Sequence, residues 1–377
     1  MKTIVVSAVN LRKGGTLTIL NDCLRAFSQW NSRDENRVVA VVHKKELALY
    51  DHIEYVEIPW SIRSWFHRLW CEYMTMHKLS KQLGDVYLWL SLHDTTPRVR
   101  AERQAVYCHN SYPFFRWHWR HLLLNYRIVC FALFTKLIYR INIHRNRYLI
   151  VQQEWFRKEM HRMFGIDRDK IIVARPRGME AANSSKATGR RVSGNLFTLH
   201  SSLKSFLYPA FPDVHKNLEC LCEAARLLEQ EVGTGRFEVV LTTNKDSNKY
   251  SKWISKRWGD VQSLRFSGFL DKKELEKEYA KARCLVFPSK VETWGLPISE
   301  FASTGKPMLL ADLPYAHETA AGSQCVAFFN PEDAAELKDK MLQVLEDDYR
   351  DFHPVAEQEY EKPYTDNWQQ TIETLIT

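Results

Sequence analysis

Two doubly wound, Rossmann-like α/β domains facing each other across a cleft are the architecture this sequence predicts. Three observations point there. Short apolar runs alternate with helix-period segments along nearly the whole chain, the pattern of parallel strands joined by crossover helices. A small, polar, charged stretch at residues 181–193 interrupts the alternation and reads as a linker. The length of 377 residues suits two domains, at roughly 100–200 residues per domain. The expected division is a first domain over 1–180, the linker over 181–193, a second domain over 194–360, and a C-terminal helix over 361–377 that can cross back to the first domain.

In the first domain the expected strands are 3–8, 38–43, 53–58, 86–90, 106–108, 148–152 and 171–174. The glycine pair Gly14-Gly15 follows the first of them and opens an amphipathic helix pattern over 16–30. Glycine there serves either a purely steric turn or the close approach of a phosphate or acceptor to the backbone. In the second domain the expected strands are 205–208, 237–242, 264–267, 284–287, 308–311 and 325–328. Its expected helices are 217–229, 272–282, 297–304 and 333–346, with a last one over 366–376. Neither short repeats nor low-complexity segments break the pattern.

Apolar residues make up 45% of the chain, enough for two cores. The formal charge of +8 favours an anionic partner: a phosphate-bearing substrate, an anionic lipid surface or nucleic acid. No nucleic-acid-binding motif accompanies it, and the basic residues are mixed with acids. The eight cysteines include no C-x-x-C pair, and several sit in apolar runs. They read as reduced thiols of a cytosolic protein, forming neither a disulfide framework nor a zinc site. The N-terminus goes straight into a strand pattern, so no secretory signal is expected.

The segment with the most chemistry runs from Glu292 to Glu300, Glu-Thr-Trp-Gly-Leu-Pro-Ile-Ser-Glu. An apolar run, Cys284-Leu-Val-Phe, precedes it, and a second, Met308-Leu-Leu-Ala, follows it. The order is therefore strand, loop, helix, strand. Glu292 falls on the loop beyond the carboxyl end of a parallel strand, where open α/β sheets bind ligands. Glu300 falls in the first turns of the next helix. Helix N–H groups can hold phosphate, and carboxylates accept hydrogen bonds from hydroxyls. The combination makes a seat for a sugar nucleotide. Taken alone, Glu292 could be a loop acid, Glu300 a solvated helix residue, and Lys216 a helix-start lysine. A cation at a helix start opposes the helix dipole, however, and calls for an anion. Trp294 reads as packing beside the turn.

These residues resemble the retaining glycosyltransferases of family four, with the GT-B fold, of the kind found in bacterial surface-polysaccharide assembly. The resemblance covers nearly the whole chain. Its strongest part runs from Phe287-Pro-Ser-Lys-Val-Glu292 through Gly305-Lys-Pro307. Phe206-Leu-Tyr-Pro through Lys216-Asn-Leu218 and Ile171-Ile-Val-Ala-Arg-Pro-Arg-Gly178 match as well. It implies an acceptor-side first domain and a nucleotide-sugar-binding second domain. By the resemblance, Glu300 binds the ribose hydroxyls, Glu292 contacts the transferred sugar, and Lys216 neutralises the diphosphate. The amides of Gly295 and Leu296 reach the diphosphate or sugar. Gly15, beside Gly14, lets the backbone approach the same phosphates. Gly268 and Phe269 lie near the base, Thr293 borders the donor pocket, and His109 touches the donor sugar. The family's usual arginine five positions before the phosphate lysine is here Phe211, so Arg175 or Arg177 supplies the second positive charge, or Lys216 and the amides suffice.

The implied reaction moves a sugar from a nucleoside diphosphate to a glycan or lipid-linked acceptor hydroxyl. It proceeds with retention, without cofactor and without an obligatory metal. A lysine and oriented amides stabilise charge on the leaving diphosphate. His93 and Asp94 end the preceding strand. They either orient the acceptor hydroxyl or form the turn before Thr95-Thr-Pro. The aromatic, arginine-rich region 114–140 contains an apolar run, 128–134, too short to span a bilayer. It either rests on an anionic membrane surface or packs into the first domain. The expected location is the cytoplasm, at the inner face of the membrane if that contact exists. Two rival readings are a nucleotide-sugar epimerase and a catalytically silent sugar-nucleotide-binding protein.

Overall fold

The computed structural model describes residues 1–175 and 203–377. The expected linker at 181–193 and Arg177 lie outside the described residues. Two compact units divide the chain. Residues 1–110, 133–175 and 360–377 form one, and residues 111–132 and 203–359 the other. Residues 111–132 were expected in the first domain. They group instead with the second unit, where Asn125 and Tyr112 make side-chain contacts to the loop 211–217.

The first unit holds an eight-stranded sheet in the order β14-β7-β6-β5-β4-β1-β2-β3. The strands are β1 Thr3–Ala8, β2 Arg37–Val42, β3 Glu54–Glu57, β4 Val86–Ser91, β5 Arg103–Tyr107, β6 Tyr148–Val151, β7 Ile171–Ala174 and β14 Tyr364–Thr365. Every neighbouring pair is parallel. Both faces of such a sheet must be covered, and β1 shows how. Ile4, Val6 and Ala8 pack with Leu20, Leu24 and Phe27 of the helix Gly14–Trp30 and with Ile372 and Leu375 of the C-terminal helix Trp368–Ile376. Val5 points to the opposite face, among Val39, Val41, Trp89, Cys71 and Met76. The period of two along a strand gives each sheet face its own core.

The second unit holds a six-stranded parallel sheet in the order β10-β9-β8-β11-β12-β13. Its strands are β8 Lys204–Tyr208, β9 Phe237–Leu241, β10 Leu264–Phe266, β11 Cys284–Phe287, β12 Met308–Ala311 and β13 Val326–Phe329. In each sheet the strand order reverses once, between β1 and β4 and between β8 and β11. At such a reversal the loops leave in opposite directions and open a crevice at the carboxyl ends of the strands. The loop after β1 leads into Gly14 at the start of the next helix, and the loop after β4 carries Asp94. The loops after β8 and β11 carry Lys216 and Glu292.

Region 114–140 supplies the helix Trp119–Arg140, whose mean hydropathy of 1.5 and length fit a membrane span by composition alone. Asn125 breaks it, with φ −154° and ψ 78°. The regular part after the break, residues 126–140, is about 22 Å long, short of a hydrocarbon core of about 30 Å. All eight cysteines are free, six of them buried.

Candidate active site

The loop after β8 is built to present Lys216. Asn217 takes a left-handed conformation, φ 55°, which asparagine tolerates better than most residues. Its side-chain amide donates to the carbonyls of Pro288 (3.1 Å) and Pro331 (2.7 Å). The Lys-Asn pair therefore has a division of labour: Asn217 ties the loop to the end of β11, and Lys216 is left to project. Tyr208 fixes the Lys216 carbonyl from below at 2.8 Å. The Lys216 ammonium meets Oε1 of Glu292 at 2.5 Å, with both side chains mostly buried. The structure thus joins the two loops of the second switch point through one ion pair.

His215 does not add a second cation. It is buried against Tyr112, ring centroids 5.2 Å apart, and burial holds its pKa well below the ordinary value. Asp213 receives the Asn125 amide at 2.9 Å, and burial pushes its carboxyl up to about 6. Phe211, at the position of the expected arginine, is 62% exposed. Arg175 lies in the first unit, over the Tyr360 ring and near the Tyr364 hydroxyl.

Beyond Glu292, Thr293 is half-buried and Trp294 buried, its indole N–H donating to Ser299 at 3.3 Å. Gly295 caps the helix Leu296–Ala302 with φ 86°. A Cβ there would lie 3.2 Å from Ile298 Cδ1 and 3.7 Å from Phe287 and Tyr315, so both conformation and space demand glycine. Leu296 is exposed at the first position of that helix, and Glu300 is exposed one turn later. Oε2 of Glu300 accepts the Tyr279 hydroxyl at 2.8 Å. Gly268 has φ 80°, and a Cβ would fall 2.6 Å from Asn244 Oδ1; Phe269 beside it is 82% exposed.

A second cluster sits at the switch point of the first sheet. Gly14 takes φ 55° with open space where a Cβ would be, so its role is conformational; Gly15 is exposed in the same turn. Asp94 has φ 66°, and its Oδ1 accepts the backbone N–H groups of His109 (2.6 Å) and Asn110 (3.0 Å) and the hydroxyl of Tyr139 (2.8 Å). Asp94 thus makes the turn and also clamps the loop after β5. Its Oδ2 lies 3.4 Å from Nε2 of His109. The Nδ1 of His109 is buried without a hydrogen-bond partner. His93 is turned inward. Its side chain is fully buried 3.0 Å from Glu72, and burial holds its pKa well below the ordinary value. Sequence reasoning missed Glu72, whose carboxyl burial pushes up to about 7. It sits in a π-helical turn, Cys71–Thr75, which interrupts the apolar period.

Among the described residues, no group of three or more His, Cys, Asp or Glu side chains is placed to hold a metal ion.

Residues 206–347, from β8 through the loop region after the last helix of the second unit, match the family model described as glycosyl transferases group 1. That match covers less than half of the chain. Both switch-point loops and Glu300 fall inside it. The chain is 26% identical over 205 residues to the O-antigen chain mannosyltransferase B of Escherichia coli, covering 53% of this chain and 52% of that protein. It is 20% identical over 255 residues to the O-antigen chain mannosyltransferase RfbU of Salmonella typhimurium, covering 67% and 63%. The match therefore spans about half to three fifths of these relatives. The lipopolysaccharide outer core galactosyltransferase WaaB, in its apo form, aligns with a TM-score of 0.60 at 13% identity, over 100% of this chain and 95% of that one. The fold is that of the GT-B glycosyltransferases, two Rossmann-like parallel-sheet domains.

Proposed function

We propose that this glycosyltransferase moves a hexosyl group from a nucleoside-diphosphate sugar to a hydroxyl of a glycan or lipid-linked acceptor, with retention at the anomeric carbon. The observation that carries the reading is the Lys216–Glu292 ion pair at the β8/β11 switch point, 2.5 Å between charged atoms, with Glu300 exposed on the next helix. Breaking the anomeric C–O bond leaves positive character on the sugar and negative charge on the diphosphate. On this reading Lys216 stabilises the second and Glu292 the first, where charge develops. The amides of Gly295 and Leu296 add donors to the diphosphate, and Glu300 accepts from the ribose hydroxyls. On this reading the leaving phosphate helps to deprotonate the acceptor on the same face. No side-chain nucleophile, cofactor or obligatory metal is required.

The relatives named as O-antigen chain mannosyltransferases support a place in surface-polysaccharide assembly. The chain would act in the cytoplasm, touching the anionic inner membrane surface through the exposed apolar residues of the helix Trp119–Arg140. The test is a thermal-shift panel of nucleoside diphosphates and nucleotide sugars. A ligand that binds only the native state raises the melting temperature. The expected result is a shift with at least one of them, abolished by Glu300→Ala and by Lys216→Ala in folded protein. An unchanged shift in both variants overturns the placement of the donor.

A further inference from the structure

Glu300 is exposed, yet one of its two oxygens is already occupied. Oε2 accepts the hydroxyl of Tyr279 at 2.8 Å. Tyr279 itself is only 7% exposed, and its ring meets Phe301, the neighbour of Glu300, edge-on at 5.7 Å. The tyrosine is therefore gripped at its ring and uses its hydroxyl outward. Its helix, Lys272–Lys281, is anchored in turn. The ammonium of Lys306 reaches the carbonyls of Tyr279 (3.0 Å), Ala280 (2.5 Å) and Ala282 (2.8 Å) at the carboxyl end of that helix. A cation there satisfies open carbonyls and complements the helix dipole. Lys306 belongs to the Gly-Lys-Pro motif that follows the helix carrying Glu300. The helix before β11 and the turn before β12 thus converge on one carboxylate.

We propose that Tyr279 is the positioning residue for Glu300, with Lys306 holding the helix behind it. The hydroxyl fixes the carboxylate rotamer through Oε2, so that Oε1 faces the ribose. An unheld glutamate on a helix surface samples several rotamers and loses that freedom on binding. Fixing it beforehand removes this cost and sharpens the distinction between a ribose and a sugar lacking a hydroxyl. This inference rests on the reading of Glu300 as the ribose ligand.

The experiment is calorimetric titration with UDP, GDP, ADP and CDP, each beside its 2′-deoxy counterpart, on the full chain and on Tyr279→Phe, Glu300→Gln and the double variant. Tyr279→Phe removes one oxygen and keeps the ring contact with Phe301. The expected result is a loss of about fivefold to tenfold in affinity for the best ribonucleotide. The preference for ribo over deoxy should narrow by a similar factor. The double variant should bind no more weakly than Glu300→Gln alone. A purely structural role for the tyrosine would lower the melting temperature and leave the ribo-to-deoxy ratio untouched, which overturns the proposal. If Glu300→Gln itself binds as the parent does, or if none of the four diphosphates binds the parent, the ribose reading fails first and takes this inference with it. Should Tyr279→Phe not fold, Glu300→Asp reads the same contact, because it keeps the charge and withdraws it from the hydroxyl. An unaltered ribo-to-deoxy ratio in that variant overturns the proposal.

Discussion

Glu219 shows how far single residues in the second unit depart from what their letters suggest. It stands in the first turn of the helix Leu218–Val232, where a carboxylate suits the dipole. Yet it is half-buried, accepts the Tyr250 hydroxyl, and faces Lys290 and Glu332. Burial pushes its carboxyl up to about 7, so the folded chain holds a proton that the unfolded chain releases near pH 4. A raised folded pKa contributes stability that is complete below about pH 4 and is lost as pH rises to about 7. Glu219→Gln keeps the shape without the titration. Its melting temperature should match the parent at about pH 4 and exceed it by a few degrees at pH 8. A constant difference across that range would mean that Glu219 does not titrate in the fold. The sequence pointed to Lys216 and Glu292 on separate loops, and the structure joins those two side chains in one ion pair. The sequence was not legible where a polar side chain is turned inward. His93 read as a rim residue and Glu72 drew no reading; the fold turns both inward and pairs them beside the π-helical turn. Tyr279 was missed because the helix Lys272–Lys281 is otherwise so charged that it reads as a solvated surface.

Elements were easier to read, for a reason visible in the sheets. Strands buried on both faces are short unbroken apolar runs, and β7, β11 and β12 fall at the residues their composition marks. The failures are short or locally encoded. Strand β14 has two residues, too few for a period, and the helix Lys249–Trp258 starts from a capping box of Asn248 and Ser251. Gly295→Ala forces a side chain into a left-handed cap and against Ile298, so it should cost about 1–2 kcal/mol. Denaturant unfolding would measure that loss, and a neutral result would show that the cap conformation is not obligatory. The helix Trp119–Arg140 leaves Leu133, Phe134 and Leu137 about half exposed, interleaved with exposed Lys136 and Arg140. Such a surface suits the interface of an anionic bilayer, where cations meet headgroups and apolar side chains enter the acyl boundary. The protein should sediment with anionic liposomes at low salt, and Phe134→Asp with Leu137→Asp should remove most of that binding. Equal sedimentation of parent and variant would leave this helix without a lipid role.

At the scale of the whole molecule, the chain ends where it began. Residues 360–377 belong with the first unit, so the polypeptide leaves that unit, builds the second, and returns. The return is fixed by covalent order and by specific bonds. β14 pairs with β7, and Arg157, fully buried, donates to the carbonyls of Pro363 (3.1 Å) and Glu361 (2.9 Å) while pairing with Glu154. Ile372 and Leu375 then close the core over the helix Gly14–Trp30. Each of these buried side chains contributes about 1.5–3 kcal/mol, and an arginine stripped of its carbonyl partners adds the cost of unmet buried donors. Removing residues 360–377 should therefore destabilise the first unit severely while sparing the second, whose sheet and Lys216–Glu292 pair contain no residue of that segment. Calorimetry of the truncated chain should show the first unit's transition shifted down by ten degrees or more, on the order of several kcal/mol for a unit of this size. Nucleoside-diphosphate binding should persist on the second transition. Loss of both transitions together would mean that the second unit draws its stability from the returning segment, and the independence of the two sheets would have to be redrawn.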